Sequence, residues 1–319
     1  MNINLIYFLI AFILTVILGK IILPILRKMK VGQNERLDGP RSHLRKQGTP
    51  TMGGIIIILS MIIVGFSFCI INKSYEILPV VLASLGFGLV GLIDDFKKLV
   101  LKNTEGLNPK LKMLGLLIIS VIYVLYLVNY RNIGTDIGFP YTDLKIVMPS
   151  WIYIIFTIVV MLGSTNAVNL TDGVDGLCGT VLGIITTFLA IISYKLGATN
   201  LSTFSAIVSG SCFGFLIYNI HKAKIFMGDT GSLFLGGVIS SVAIYLKNPF
   251  ILVIIAIVPV IETLSVILQV LYFRRTGKRI LKMAPLHHHF ELSGWRENKV
   301  VIIFGLVTLI SCIAGVLAI

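Results

Sequence analysis

The sequence predicts an all-α integral membrane protein with ten transmembrane helices, and three observations carry that expectation. The chain is 56% hydrophobic and only 13% charged, against roughly 25% charged in an ordinary soluble domain. Its mean hydropathy is +0.96. Its apolar residues lie in long continuous runs, not in short alternating ones, so helices are expected and strands are not.

A helical span needs about 20 mostly apolar residues. The runs place spans at roughly 3–26, 51–71, 77–93, 111–129, 150–168, 177–194, 201–220, 231–246, 249–273 and 300–318. They read as one polytopic domain over 1–319. The first run has no positive n-region and no small-residue cleavage site, so it reads as a retained span. Cys69, Cys178, Cys212 and Cys312 stand singly in or beside apolar runs. Without metal-type spacing, they read as small core residues.

An even number of spans puts both termini on one side of the membrane. The loops after spans 1, 3, 7 and 9 hold 21 of the 27 basic residues, and the opposite loops hold five. The positive-inside rule makes the richer face cytoplasmic and both termini extracytoplasmic. The net charge of +13 then needs no nucleic acid as partner; anionic lipid suffices.

Five polar clusters fall on that cytoplasmic rim. In RSHLRKQGTPTMGG (41–54), Thr49-Pro50 reads as an N-cap and first-turn proline opening span 2, which leaves His43 and Lys46 less well explained. In GLIDDFKK (91–98), Asp94 and Lys98 share a helix face. Two adjacent carboxylates at a helix C-terminus oppose its dipole unless a cation or a base role compensates. In NAVNLTDGVDGLC (166–178), Asn166, Asn169, Asp172 and Asp175 offer hard oxygens suited to Mg²⁺ or a polar ligand. Gly173 and Gly176 allow close backbone approach there. In FMGDTGSLFLGG (226–237), Asp229 precedes a span, as an N-cap or beside a phosphate-binding helix end.

The fifth cluster is PLHHHFELSGWRENK (285–299), with His287, His288 and His289 in a row. Consecutive helical residues do not face one way, so they are not expected to chelate one metal. Leu286, Phe290, Leu292 and Trp295 alternate with polar residues, as in a short amphipathic element at the interface. Together the clusters point to Mg²⁺-assisted chemistry on a phosphate compound at the membrane surface. Glu262 lies apart, inside span 9 and three residues after Pro259. An intramembrane carboxylate is expected to have a partner or a function.

SHLRKQGTPTMGG, GLIDDFKK, NAVNLTDGVDGL, FMGDTGS and APLHHHFELSGW resemble the polyprenyl-phosphate N-acetylhexosamine-1-phosphate transferases. TPTMGG and HHHFELSGW are similar to the phospho-N-acetylmuramoyl-pentapeptide transferase branch, and the likeness runs over essentially the whole chain. The resemblance implies transfer of phospho-MurNAc-pentapeptide from UDP-MurNAc-pentapeptide to undecaprenyl phosphate, giving lipid I and UMP. It also implies Mg²⁺, a homodimer, and a bacterial inner-membrane enzyme with its active site facing the cytoplasm.

Carried over by position, it implies catalytic roles for Asp94, Asp95, Asp229, His288 and His289. Asp229 is the first candidate Mg²⁺ ligand, with Asp94, Asp95 and Asp172 as further candidates. Lys46, Lys98 and Lys110 would hold phosphates. Asn166, Asn169, Asp172 and Asp175 would line the nucleotide side, and Phe226 would stack on uracil. His287 would face the diphosphate and sugar, and Thr51 and Asn219 complete the substrate-binding set. Two other readings compete. A UDP-GlcNAc:undecaprenyl-phosphate transferase is disfavoured by TPTMGG and HHHFELSGW. A transporter, suggested by Glu262, Gln269 and the glycine-rich spans, is disfavoured because the polar clusters lie on one rim instead of at the midplane.

Overall fold

The computed structural model of the chain describes residues 2–28, 48–99, 106–142 and 144–319. Its helices are α1 (Asn2–Lys28), α2 (Gly54–Asn72), α3 (Leu78–Leu99), α4 (Pro109–Asn129), α5 (Ser150–Thr171), α6 (Leu177–Lys195), α7 (Thr199–Asn219), α8 (Gly228–Tyr245), α9 (Ile251–Ile255), α10 (Ile257–Thr276), α11 (Leu286–Leu292) and α12 (Glu297–Leu317). Among the described residues, nine helices are long and apolar enough to cross a membrane: α1 to α7, α10 and α12. They coincide with nine of the ten expected runs.

The remaining run, 231–246, forms α8, which lies at the centre of the bundle. Every residue from Thr230 to Ile244 is buried, against α2, α3, α5 and α6. Small residues allow this close approach. A Cβ on Gly237 would lie 2.5 Å from Phe87, and one on Gly236 the same distance from the Thr165 backbone. The serines of α8 stay satisfied by bonding back to their own helix, as Ser240 does to the Gly236 carbonyl at 2.8 Å. The four cysteines are free and buried, as their isolation in the sequence suggests.

Three local expectations are corrected. The run 249–273 is not one helix but breaks at Ala256, between α9 and α10. Pro259 then falls in the first turn of α10, where its missing N–H leaves no bond unmade. Thr49-Pro50 does not open α2, whose N-cap is Gly53. That stretch pairs with the chain before α8: Phe226 N–H donates to the Pro50 carbonyl and Gly53 N–H to the Phe226 carbonyl, both at 2.8 Å. Strands do occur, as a two-stranded antiparallel hairpin, β1 (Asp136–Gly138) and β2 (Lys145–Val147). They are three residues each and lie in the connection between α4 and α5, outside the apolar runs.

The chain turns place the polar clusters at one end of the bundle: the end of α3 and start of α4, the α5–α6 turn, and the α7–α8 turn. The hairpin sits at the other end, where Gly138 N–H bonds the Lys247 carbonyl just after α8 at 2.9 Å.

Candidate active site

Four helices build one charged network. On α3, Asp94 and Lys98 are one turn apart and bond at 2.7 Å. α4 starts with Asn108 as N-cap and Pro109 in its first turn, which sets the phase that turns Lys112 inward. Lys98 Nζ reaches Asp229 Oδ2 at 2.9 Å, and Lys112 Nζ reaches the same oxygen at 2.8 Å and Asp94 Oδ2 at 3.4 Å. The second Asp94 oxygen accepts from Leu107 N–H at 2.7 Å. The second Asp229 oxygen accepts from the Asn169 amide at 2.7 Å, and that amide also donates to Ser232 Oγ at 2.9 Å. Buried carboxylates in such proximity are tolerable only with compensating cations and filled hydrogen bonds, and both are present.

Asp95, next in sequence, does different work. It caps α8 from a neighbouring helix: its carboxylate accepts from Asp229 N–H at 3.2 Å, Thr230 N–H at 2.9 Å and Thr230 Oγ at 2.6 Å. Asp229 is therefore not the N-cap, as the sequence allowed: it lies inside the first turn of α8, and its own N–H is one of the donors that Asp95 satisfies. The approach requires a glycine on α3, because a Cβ on Gly91 would collide with the Asp229 carbonyl. Thr51 belongs to the same corner. A Cβ on Gly228 would sit 2.9 Å from Thr51 Oγ and 2.6 Å from Asp95 Oδ2.

Asp172, in the α5–α6 turn, is partly accessible yet surrounded by protein atoms, and burial pushes its carboxyl up to about 7. The negative charges of Asp229 and Asp95 add to that rise, and a Gly228 backbone hydrogen bond opposes it. Asp175 accepts from Ala223 N–H at 3.0 Å. His221 Nδ1 stands 3.6 Å from both Asp175 and Glu297, so α12 is tied to this turn. Those three side chains could also hold a cation by their spacing.

The other expected residues are placed as follows. Asn219 is buried, accepting from Gly176 N–H at 3.0 Å and donating to the Ile225 carbonyl at 2.9 Å. Asn166 donates to its own helix at Leu162, 2.7 Å. Phe226 is half-buried beside the 50–54 segment, and Lys110 is exposed at the start of α4. Lys46 lies outside the described residues.

The three histidines meet different polar partners, although the rings of His287 and His288 pack edge to face at 4.2 Å. His287 is fully buried. His288 Nδ1 meets Glu291 at 2.9 Å, and His289 Nδ1 accepts from Lys282 N–H at 3.1 Å. Phe290 stacks on Trp295 at 4.5 Å and meets Phe304 of α12 edge-on at 6.0 Å. The apolar side of α11 is therefore seated on protein. Lys112, Ser232, His221 and Glu297 were not singled out from the sequence. A helix starting at Pro109 puts Lys110 and Lys112 on roughly opposite sides, and the ion pairs of Lys112 show which of the two faces inward.

The Glycosyl transferase family 4 model matches residues 77–247, and the Phospho-N-acetylmuramoyl-pentapeptide-transferase signature 1 matches residues 46–58. Together they cover Asp94, Asp172, Asp229 and the 50–54 segment. A phospho-N-acetylmuramoyl-pentapeptide-transferase of Acetivibrio thermocellus is 45% identical over 313 residues, covering 98% of this chain and 94% of that one. Its namesake from Clostridium perfringens is 50% identical over 303 residues, 95% and 94% of the two chains. That of Clostridium kluyveri is 49% identical over 314 residues, 97% of each. Identity at this level over nearly the full length, with a charged network at the matched motifs, leads to one conclusion: the chain belongs to the phospho-N-acetylmuramoyl-pentapeptide-transferase family.

Proposed function

We propose that this protein transfers phospho-MurNAc-pentapeptide from UDP-MurNAc-pentapeptide to undecaprenyl phosphate, giving lipid I and UMP in the first membrane step of peptidoglycan synthesis. The observation that carries the reading is the charged junction of Asp94, Asp229, Lys98 and Lys112 at one end of the bundle. In the reaction an acceptor phosphate oxygen attacks the phosphorus bonded to the sugar, and the bond from that phosphorus to UMP breaks. Both reactants are anions, so their repulsion is the main obstacle. Lys98 and Lys112 are two cations held in place for incoming phosphates. Lys110, exposed at the rim, would meet the donor from the water side, and Lys46 is proposed as a further phosphate-binding lysine.

The donor set fits Mg²⁺. Asp229, Asp94, Asp172 and Asn169 present hard oxygens, and Asp172, raised first by burial and then by the negative charges of Asp229 and Asp95, is a carboxyl that a nearby cation would relieve. Asp229 would be the first ligand, with Asp94, Asp172 and Asp95 as further candidates. When bound, Mg²⁺ would neutralise charge on the transferring phosphates. A phosphate monoester has a second pKa near 6, so the acceptor is mostly dianionic at neutral pH and gains little from a base. That favours direct attack, and isolation of a covalent phospho-enzyme would contradict it.

α8 is read as the tenth crossing. Its 18 residues extend about 27 Å, close to the roughly 30 Å of a bilayer core. Because neighbouring helices hide it from lipid, it need not be strongly apolar. Ten crossings, with the basic loops inward, put both termini outside and the charged network on the cytoplasmic rim of the bacterial inner membrane. The family resemblance supports a homodimer there.

The test is UMP release by purified protein with undecaprenyl phosphate and Mg²⁺. UDP-MurNAc-pentapeptide and UDP-GlcNAc are compared, each with and without EDTA. EDTA-sensitive UMP from the pentapeptide donor alone is expected. UMP from UDP-GlcNAc would move the chain to the sister activity.

A further inference from the structure

α10 buries only Val258, Pro259, Glu262 and Ser265, a helical stripe that turns Glu262 into the protein while the rest of the helix faces outward. Glu262 is fully buried, and an ionisable side chain in such a place needs a partner. The partner is His287, also fully buried. One carboxylate oxygen, Oε1, lies 3.2 Å from both the backbone nitrogen and ring Nδ1 of His287. The ring contact is at ion-pair distance without hydrogen-bond alignment, and Glu262 Oε2 and both ring nitrogens of His287 have no hydrogen-bond partner among the described residues. Nε2 lies against the Asp172–Asp175 turn, where a Cβ on Gly173 would collide with it.

A carboxylate only accepts, so a ring nitrogen turned to it carries the proton. A backbone N–H only donates, so a ring nitrogen that accepts from it carries none. The Nδ1 of His287 and the Nδ1 of His288 face carboxylates, of Glu262 and Glu291, whereas the Nδ1 of His289 faces the Lys282 N–H. We propose that Glu262 is a positioning residue: it fixes His287 with the proton on Nδ1 and Nε2 aimed at the Asp172–Asp175 turn. His288, facing Glu291, carries its proton on Nδ1 in the same sense, and His289, facing the Lys282 N–H, is unprotonated there. The contribution of this arrangement to turnover rests on the transferase reading. The protonation pattern itself does not.

The experiment is a two-bond ¹H–¹⁵N correlation spectrum of ¹⁵N-histidine-labelled protein in nanodiscs, assigned with single histidine variants and paired with UMP-release kinetics. In the wild type, Nδ1 of His287 is expected to be protonated and Nδ1 of His289 unprotonated. In Glu262→Met, the His287 proton moves to Nε2 and kcat falls about 10- to 100-fold, the usual cost of losing a histidine's orienting partner, with donor KM nearly unchanged. Glu262→Gln keeps a carbonyl acceptor and restores most of kcat. An unprotonated His287 Nδ1 in the wild type overturns the proposal, as does a Glu262→Met enzyme with kcat within about twofold of wild type. The expected spectrum with no UMP from either donor would leave the positioning intact and overturn the transferase reading. If Glu262→Met does not fold, the wild-type spectrum and Glu262→Gln still decide.

Discussion

The two ends of the bundle each carry lysine–aspartate pairs, and the pairs differ in kind. At the hairpin end, Lys247 meets Asp136 at 2.6 Å, both side chains about a third exposed. At the charged end, Lys98 and Lys112 bridge Asp94 and Asp229, and Asp94 is 2% exposed. The first pair joins two charges in reach of water, where such a bond adds little. The second gathers two ammonium groups and two carboxylates where α3, α4, α5 and α8 meet. Lys98 reaches in from the rim at 37% exposed, but Asp229 and Lys112 are 17% and 20% exposed, and four coupled charges around a buried Asp94 are costly to disturb. The same residue types thus hold a loop at one end and assemble a four-charge cluster, the proposed reaction centre, at the other.

The strongest way to break that contrast is Lys112→Met. It removes a cation from the junction and is expected to lower kcat for UMP release by about 10²- to 10³-fold, in the range of losing a preorganised charge-stabilising group. Lys110→Met, two residues earlier and exposed, should raise donor KM a few-fold and leave kcat alone. Equal kcat losses in the two variants would show that the inward phase of Lys112 is irrelevant. Gly91→Ala comes next. Its methyl would push α3 off the Asp229 carbonyl, and a displacement of about 1 Å can cost about 10²-fold in rate. Activity near wild type would mean that the α3–α8 approach tolerates slack.

Much of the junction is readable in the sequence. Asp94, Lys98, Asn169 and Asp229 stand out as polar residues interrupting apolar runs, and the structure joins all four. The division of labour between Asp94 and Asp95 is not readable, because adjacent carboxylates differ only in which neighbouring helix each meets. Lys112 is hidden among a set of loop lysines until the helix phase is known. Likewise α8 falls short of a lipid-facing span in apolarity because neighbouring helices, not lipid, surround it. Glu262 is conspicuous as an intramembrane carboxylate, but its partner lies 25 residues on, across a turn whose path no local pattern gives. The hairpin is not legible in the sequence because three-residue strands leave no periodicity to detect.

Smaller effects sharpen the contrast through stability. Asp172 rises to about 7 in the folded protein from 3.8, so the folded state holds its proton more tightly than the unfolded chain. Stability therefore falls as pH rises from about 4 to about 7 and is level above. Asp172→Asn removes that penalty. Its melting temperature should exceed the wild-type value at about pH 8, and the gap should shrink towards pH 5. A gap independent of pH would contradict the assignment. Asp136→Asn should be the mildest change. Lys247 holds the Asp136 carboxyl below its usual range, so the pair's contribution is present above that range and lost as pH falls through it. The loss is expected to be about 1 kcal/mol or less, read by thermal denaturation, with kcat unchanged.

The most direct test of the central claim, that the charged junction is the reaction centre, is kcat for UMP release by Asp229→Asn at saturating donor and acceptor in nanodiscs, with melting temperature recorded alongside. The account predicts a loss of about 10³-fold or more in a protein that still unfolds cooperatively, at a melting temperature lowered because Lys98 and Lys112 lose a charged partner. A folded variant keeping more than about a tenth of wild-type turnover would contradict it, and would place the chemistry elsewhere on the rim.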